Sequence, residues 1–265
     1  MDIKHAVKGT VHHLLGEPRG TALTRCARIW WETMDRFFHR SLKRMDDLLN
    51  ARAGERCFIL GNGPSLNETD LSRLRGEATF GLNRIYLKFP NMGYPTSYLV
   101  CVNPLVIDQC VEEICDCASL KFLSFVARDR VKMSDDVILL RSRCGPKFFS
   151  DIRRGIWEGS TVTYVAMQIA YFLGFQKVIL VGVDHSFQTK GEPHKVVTSQ
   201  GKDPNHFDPD YFGKGFRWQL PDLVTSELAY RIAKHSFEAD GREIVDATMG
   251  GELEVFRKVE YDSLF

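Results

Sequence analysis

The stretch Cys57-Phe58-Ile59-Leu60-Gly61-Asn62-Gly63-Pro64-Ser65-Leu66 decides the fold. Four apolar residues in a row, cut short by glycine, read as a strand buried on both faces, the habit of a parallel sheet. The glycine turn then leads into an expected helix over 67–74. The same grammar recurs outward along the chain. Apolar runs at 97–102, 122–125 and 178–181 predict further buried strands, with weaker ones at 78–80 and 137–140, and the windows 103–115, 161–173 and 222–239 carry apolar residues at the helical period. Strands alternating with helices predict an α/β fold, a Rossmann-like and mostly parallel sheet flanked by helices, with right-handed crossovers.

The composition agrees with a packed domain. Of 265 residues, 44% are hydrophobic, 26% charged and 11% aromatic, which excludes disordered, collagen-like and membrane-spanning classes. A net charge of +1 supplies no bulk field for nucleic acid, so no nucleic-acid partner is expected. Residues 1–50 read as an N-terminal helical extension and 51–265 as the Rossmann-like domain, with 184–221 as a long, polar, lid-like insertion that keeps Phe207, Tyr211, Phe212, Phe216 and Trp218. In the extension, Trp31, Met34, Phe38, Leu42, Met45 and Leu49 form one helical stripe. It is expected to pack on its own domain or on a second copy in a homo-oligomer, with peripheral membrane contact through residues 24–50 as the alternative. Seven cysteines, an odd number without a repeated C-x-x-C, read as reduced thiols, and Cys110, Cys115 and Cys117 as idle rather than metal-binding. The N-terminus lacks the apolar core of a signal peptide, so a cytoplasmic protein is expected.

Ligands of open α/β sheets lie beyond the carboxyl ends of the strands. The first strand ends in Gly61-Asn62-Gly63-Pro64-Ser65, which predicts a phosphate-binding turn with outward amides before a helix N-terminus, although it is neither a Walker A motif nor G-x-G-x-x-G. Asn62, Asn83 and Asn103 follow three strands and are expected on one rim, where an amide offers both donor and acceptor to a nucleotide; helix capping alone also accounts for each. The later strand runs into Asp184-His185, followed by Glu192, His194, His206, Asp208 and Asp210, a set able to hold a divalent cation or supply a general base. Of these, Asp184 and His206 are expected in the site, and His185 and His194 as solvated loop residues.

Taken together, Gly61-Asn62-Gly63-Pro64-Ser65-Leu66, Gly81-Leu82-Asn83-Arg84, Glu158-Gly159-Ser160-Thr161-Val162-Thr163, Val181-Gly182-Val183-Asp184-His185-Ser186-Phe187, His206-Phe207-Asp208-Pro209-Asp210-Tyr211-Phe212 and Asp246-Ala247-Thr248-Met249-Gly250-Gly251 resemble the 6-hydroxymethylpterin diphosphokinase MptE-like family over about residues 52–260. That family is named for archaeal enzymes that pass diphosphate from ATP to a pterin alcohol with Mg²⁺. Its fold is similar to that of bacterial sialyltransferases, which use CMP-sialic acid without a metal. The sialyltransferase likeness implies that Gly61, Asn62, Gly63, Pro64 and Ser65 form the nucleotide loop, that Asn83, Asn103, Ser160 and Thr161 bind the donor, and that Asp184 matches a Gly-x-Asp. Two positions depart from it. Ser186 stands where a phosphate-binding tyrosine is expected, and Asp210 where the base histidine should be, which leaves His206 or Asp210 as acceptor base.

Three functions follow from the resemblance. The first is a glycosyltransferase in surface glycan or polysaccharide synthesis, with a CMP-linked acidic sugar as donor, a glycan as acceptor and no required cofactor. The second is a diphosphokinase, with Mg²⁺ on Asp184, Asp208 and Asp210. The third is a non-catalytic nucleotide-binding module.

Overall fold

The computed structural model describes residues 35–132, 134–189 and 191–265. Strands β1 (Arg56–Leu60), β2 (Ala78–Leu82), β3 (Tyr98–Cys101), β4 (Leu120–Ser124), β5 (Val137–Leu140), β6 (Lys177–Val181), β9 (Glu243–Asp246) and β10 (Arg257–Lys258) form one parallel sheet in the order β10-β9-β6-β1-β2-β3-β4-β5. A separate antiparallel pair, β7 (Val196–Thr198) and β8 (Arg217–Gln219), lies within the insertion. The sheet grows in one direction from β1 to β5, then restarts on the other side of β1 with β6. This reversal is the topological switch point of a doubly wound sheet, where a crevice opens.

Alternation along each strand feeds two cores. Cys57 and Ile59 of β1 join Tyr164, Phe172 and Phe237 on one face, whereas Phe58 and Leu60 join Ile107, Ile114 and Tyr211 on the other. Helices α3 (Val162–Leu173) and α4 (Leu223–Ala239) cover the first face, and α2 (Pro104–Asp116) the second. The strands and helices expected from apolar runs are present. β9 and β10 escaped that reading because each carries too few apolar residues to stand out.

Residues 67–74 differ from expectation. Instead of a helix there are two 3-10 turns, Pro64–Asn67 and Leu71–Leu74. Asp70 accepts from both the backbone and the hydroxyl of Ser72, and Thr69 donates to the Ser65 carbonyl, so short polar side chains take over hydrogen bonds that a helix would have used.

The N-terminal stripe also finds its partner within the chain. Helix α1 (Arg36–Leu48) is capped by Asp35, whose carboxylate accepts from Phe38 N at 3.1 Å, and it lies along β5 with Phe38 and Met45 buried. Buried Ser41 accepts from Leu139 N at 2.9 Å, satisfying an amide on an edge strand that pairs with β4 alone. Phe38 and Met45 are therefore buried on this domain and Leu42 partly so, the first of the packings expected for the stripe, while Leu49 is left exposed. Trp31 and Met34 lie outside the described residues. Among the described residues no helix is long and apolar enough to cross a membrane, and the six cysteines are unpaired.

Candidate functional site

A cavity of about 510 Å³ opens over the carboxyl ends of the strands at the switch point. Gly61, Asn62, Gly63, Asn83, Asn103, Ser160, Thr161, Asp184 and His206 all line it. Sequence positions spread over half the chain thus converge on one wall-to-wall site.

The glycine turn is built differently from the expected phosphate cradle. Gly61 N donates to Val181 O at 2.8 Å and Gly63 N to Gly182 O at 2.9 Å, so these amides sew β1 to the end of β6 instead of facing a ligand. Ser65 donates twice to Asp184, from its amide to Oδ1 at 3.1 Å and from its hydroxyl to Oδ2 at 2.8 Å. Pro64 and Ser65 do not line the cavity. The negative charge at this turn is thus the protein's own. Burial pushes the Asp184 carboxyl above its ordinary range, against the pull of the two Ser65 hydrogen bonds. Asp184 acts here as the tie between the two halves of the sheet.

The asparagines divide. Asn103 caps α2, accepting from Leu105 N at 2.9 Å. Asn62 and Asn83 have side-chain oxygens shut off from solvent and without a donor among the described residues. Both residues line the cavity, but these two oxygens are closed to it, so a ligand donor meets them only when the amide side chains turn. Asn83 is further marked by its backbone: with Ser160, His185 and His194 it has φ between 49° and 63°, and all four line the cavity. Left-handed backbone at residues other than glycine is costly and collects at functional sites.

His206 is the most fully supported group. Its Nδ1 lies 2.7 Å from Oδ2 of Asp203, whose side chain is 3% exposed, and its ring stacks on buried Tyr211 with centroids 4.1 Å apart and planes 7° apart. Asp203 also accepts from Asn205 N at 2.8 Å and Phe212 N at 3.1 Å. Nε2 makes no hydrogen bond among the described residues. A carboxylate on Nδ1 places the ring proton there and leaves Nε2 as the acceptor, the arrangement of an oriented general base. Sequence reading missed Asp203, although the spacing Asp203-x-x-His206 was available as a local pair.

Burial alone would raise the Asp203 carboxyl, but the His206 ring and the two amides outweigh it and hold Asp203 below the usual carboxylate range. A lowered carboxylate contributes stability above its unfolded value, near 4, and that contribution is lost as pH falls through the lower folded value. The melting-temperature gap between wild type and Asp203→Asn should therefore be largest at neutral pH and close below about pH 4. A gap that is constant from pH 7 to 3 would contradict the pairing.

His185 and His194 both line the cavity; the His185 side chain is shielded from solvent, contrary to expectation, whereas His194 is exposed, as the sequence suggested. His185 Nε2 lies 3.4 Å from Glu227, and His194 Nε2 lies 3.2 Å from Asp222 and 3.5 Å from the Ser160 hydroxyl. Ser160, His194 and Asp222 do not form a proton relay, because both contacts use the same ring nitrogen.

Asp208 and Asp210 lie outside the cavity lining. Asp208 caps its own turn by accepting from Asp210 N at 2.8 Å, and Asp210 is exposed. This removes Asp210 as acceptor base and separates the expected Mg²⁺ set of Asp184, Asp208 and Asp210. Among the described residues no three His, Cys, Asp or Glu side chains are grouped to hold a metal ion. The residues present do not fit the expected Mg²⁺ site.

The insertion is a fastened wall. Phe207, Tyr211, Phe212 and Trp218 are buried in the second core. Phe207 N donates to Asn62 O at 2.9 Å, Asn67 Nδ2 to Phe207 O at 2.7 Å, and Gln109 exchanges hydrogen bonds of 2.8 and 2.9 Å with the Arg217 backbone. The aromatics expected to give a moving lid its apolar underside instead nail it to the domain.

A family model described as 6-hydroxymethylpterin diphosphokinase MptE-like matches residues 34–190. No curated protein matches the sequence. Among solved structures the chain is similar to the MAf glycosyltransferase from Magnetospirillum magneticum AMB-1, with 14% identity and a TM-score of 0.48, over 100% of this chain and 48% of that one. The chain thus spans about half the length of that structure.

Proposed function

The chain belongs to the 6-hydroxymethylpterin diphosphokinase MptE-like family, and from that premise we propose that it is a transferase that takes an acidic sugar from a CMP-linked donor and passes it to a glycan hydroxyl in surface polysaccharide synthesis. The observation that carries this reading is the His206–Asp203 pair in the wall of the switch-point cavity. In the transfer, the acceptor hydroxyl gives its proton to His206 Nε2 while its oxygen bonds to the anomeric carbon of the sugar. The bond from that carbon to the phosphate oxygen breaks, and CMP leaves with the electron pair. Asp203 stabilises the imidazolium that forms. Cytosine carries an exocyclic amine and ribose carries hydroxyls, and these donors complete the hydrogen bonds of Asn62 and Asn83 once the two amide side chains turn into the cavity.

The diphosphokinase reading would route ATP phosphates through a carboxylate-held cation, and the separation of Asp208 and Asp210 from the cavity supports the sugar donor instead.

Melting temperatures with CMP, CDP, UDP, GDP and ATP, each with Mg²⁺ and with EDTA, test the proposal. CMP should stabilise the chain equally under both conditions, by about 2.7 kcal/mol at 100 times its Kd. Stabilisation by ATP with Mg²⁺ alone would establish the diphosphokinase reading in its place. CMP stabilisation with no turnover of any CMP-sugar would leave a nucleotide-binding module.

A further inference from the structure

The cavity is lined both by Asp184, past the end of β6, and by Ser142 and Arg143, past the end of β5. The Asn62 and Asn83 oxygens lie after β1 and β2, which leaves the β5 end unassigned.

That end is built around Trp157. The indole is half-buried and lines the cavity, and its N–H has no acceptor among the described residues. Its backbone is gripped by the fully buried Gln168, which accepts from Trp157 N at 3.3 Å and donates to Trp157 O at 2.8 Å. Gly145 lies against the ring so closely that a Cβ there would be 2.4 Å from the indole, and Tyr164 meets the ring edge-on at 5.5 Å. The indole is thus set in place before any ligand arrives. Around it stand Arg143, whose amide is fixed on Ile156 O at 2.7 Å, and Glu158, to which the Ser142 hydroxyl donates. Burial pushes the Glu158 carboxyl up from its ordinary range.

We propose that the β5 end of the cavity is a sugar-ring subsite, with the Trp157 indole as platform for the C–H face of the ring and Arg143, Glu158 and Ser142 as partners of its hydroxyl and carboxylate groups. An apolar plate beside several short polar groups matches a sugar, which is apolar on its faces and polar at its rim. Arg143, whose Nε donates to Arg154 O at 3.1 Å, and Glu158 carry opposite charges, so the choice of an acidic sugar comes from the transferase reading. This assignment rests on the transferase reading and names where its second group sits.

Saturation-transfer NMR on the full chain tests the subsite, with N-acetylneuraminic acid as probe, alone and with CMP present, and with N-acetylglucosamine and 6-hydroxymethylpterin as comparisons. Transfer to the ring protons of N-acetylneuraminic acid is expected in wild type, with affinity roughly tenfold lower in Trp157→Ala. Gly145→Ala, which displaces the indole without removing it, should weaken the sugar similarly and serves if Trp157→Ala does not fold. The CMP melting shift should be unchanged in both variants. Transfer equal to wild type in both, no transfer in wild type at millimolar probe, or Trp157-dependent transfer to the pterin alone would each overturn the subsite. A sugar signal without a nucleotide shift would instead sink the nucleotide reading and leave the subsite standing.

Discussion

His206→Ala is expected to lower turnover by roughly 10²-fold or more while leaving nucleotide affinity nearly unchanged, the signature of a lost general base. CMP release from CMP-N-acetylneuraminic acid in the presence of a glycan acceptor measures the first quantity, and the CMP melting shift measures the second. The ring contributes nothing to the Asn62 and Asn83 acceptors, so binding and chemistry separate at this residue. Removing the imidazole leaves the Asp203 carboxylate with its two amide donors, Asn205 N and Phe212 N, so the loop retains most of its internal bonding. His206→Gln, which keeps a polar side chain over Tyr211, checks that lost turnover is chemical. Turnover near wild type in both variants would remove His206 from the reaction and the His206-based mechanism with it.

Gly63→Ala should strike folding before it strikes binding. A Cβ at residue 63 would lie 1.7 Å from Oδ2 of Asp184 and 2.9 Å from its Cβ, so the whole side chain must leave, not merely its tip. Its departure breaks both hydrogen bonds from Ser65. Overpacking costs about 1–3 kcal/mol and a hydrogen bond to a charged group about 1.5–3. With two such bonds lost the total is about 4 kcal/mol at the least, which for a chain of this size lowers Tm by roughly 8–16 °C. The double variant Gly63→Ala with Asp184→Gly should recover part of the loss, because every Asp184 side-chain atom that the new Cβ would meet is gone, and that non-additivity is the check. A Tm for Gly63→Ala within about 1 °C of wild type would show that the turn does not press on Asp184.

What the sequence disclosed was what local pattern can carry. Four consecutive apolar residues in β1 and in β6 announced buried strands, and the glycines after them announced a turn at the strand ends. The use of that turn was not legible, because Ser65 and its acceptor Asp184 are 119 residues apart and nothing in either stretch names the other. Asn62 and Asn103 looked alike in sequence. One keeps a buried oxygen without a donor among the described residues and the other caps a helix, a difference made by where each chain turns after its strand. His194 read as a solvated loop residue, and it is exposed, but its partners Asp222 and Ser160 were not legible because they come from two other segments. The helix expected over 67–74 failed because Asp70, Ser72 and Thr69 bond the backbone themselves. Apolar spacing says nothing about that competition.

The order of strands sets a schedule for a chain that emerges from its N-terminal end. Strands β1 to β5 come in sequence and can pair as they appear, each beside the last. The other flank of β1 must wait, since Cys57 pairs with Val178, which follows 121 residues later. At about 5–20 residues per second of synthesis the delay is roughly 6–24 s. For that time a row of backbone donors and acceptors on β1, beside the apolar side chains of Phe58 and Ile59, has no strand to meet it, and such an edge invites pairing with another nascent chain. The far edge, β5, is already covered by α1, which precedes it in synthesis. The two halves of the sheet thus join late, after β1 to β5 and before only β9 and β10, and the growing polypeptide is most exposed to misassembly at the seam over which the candidate site forms.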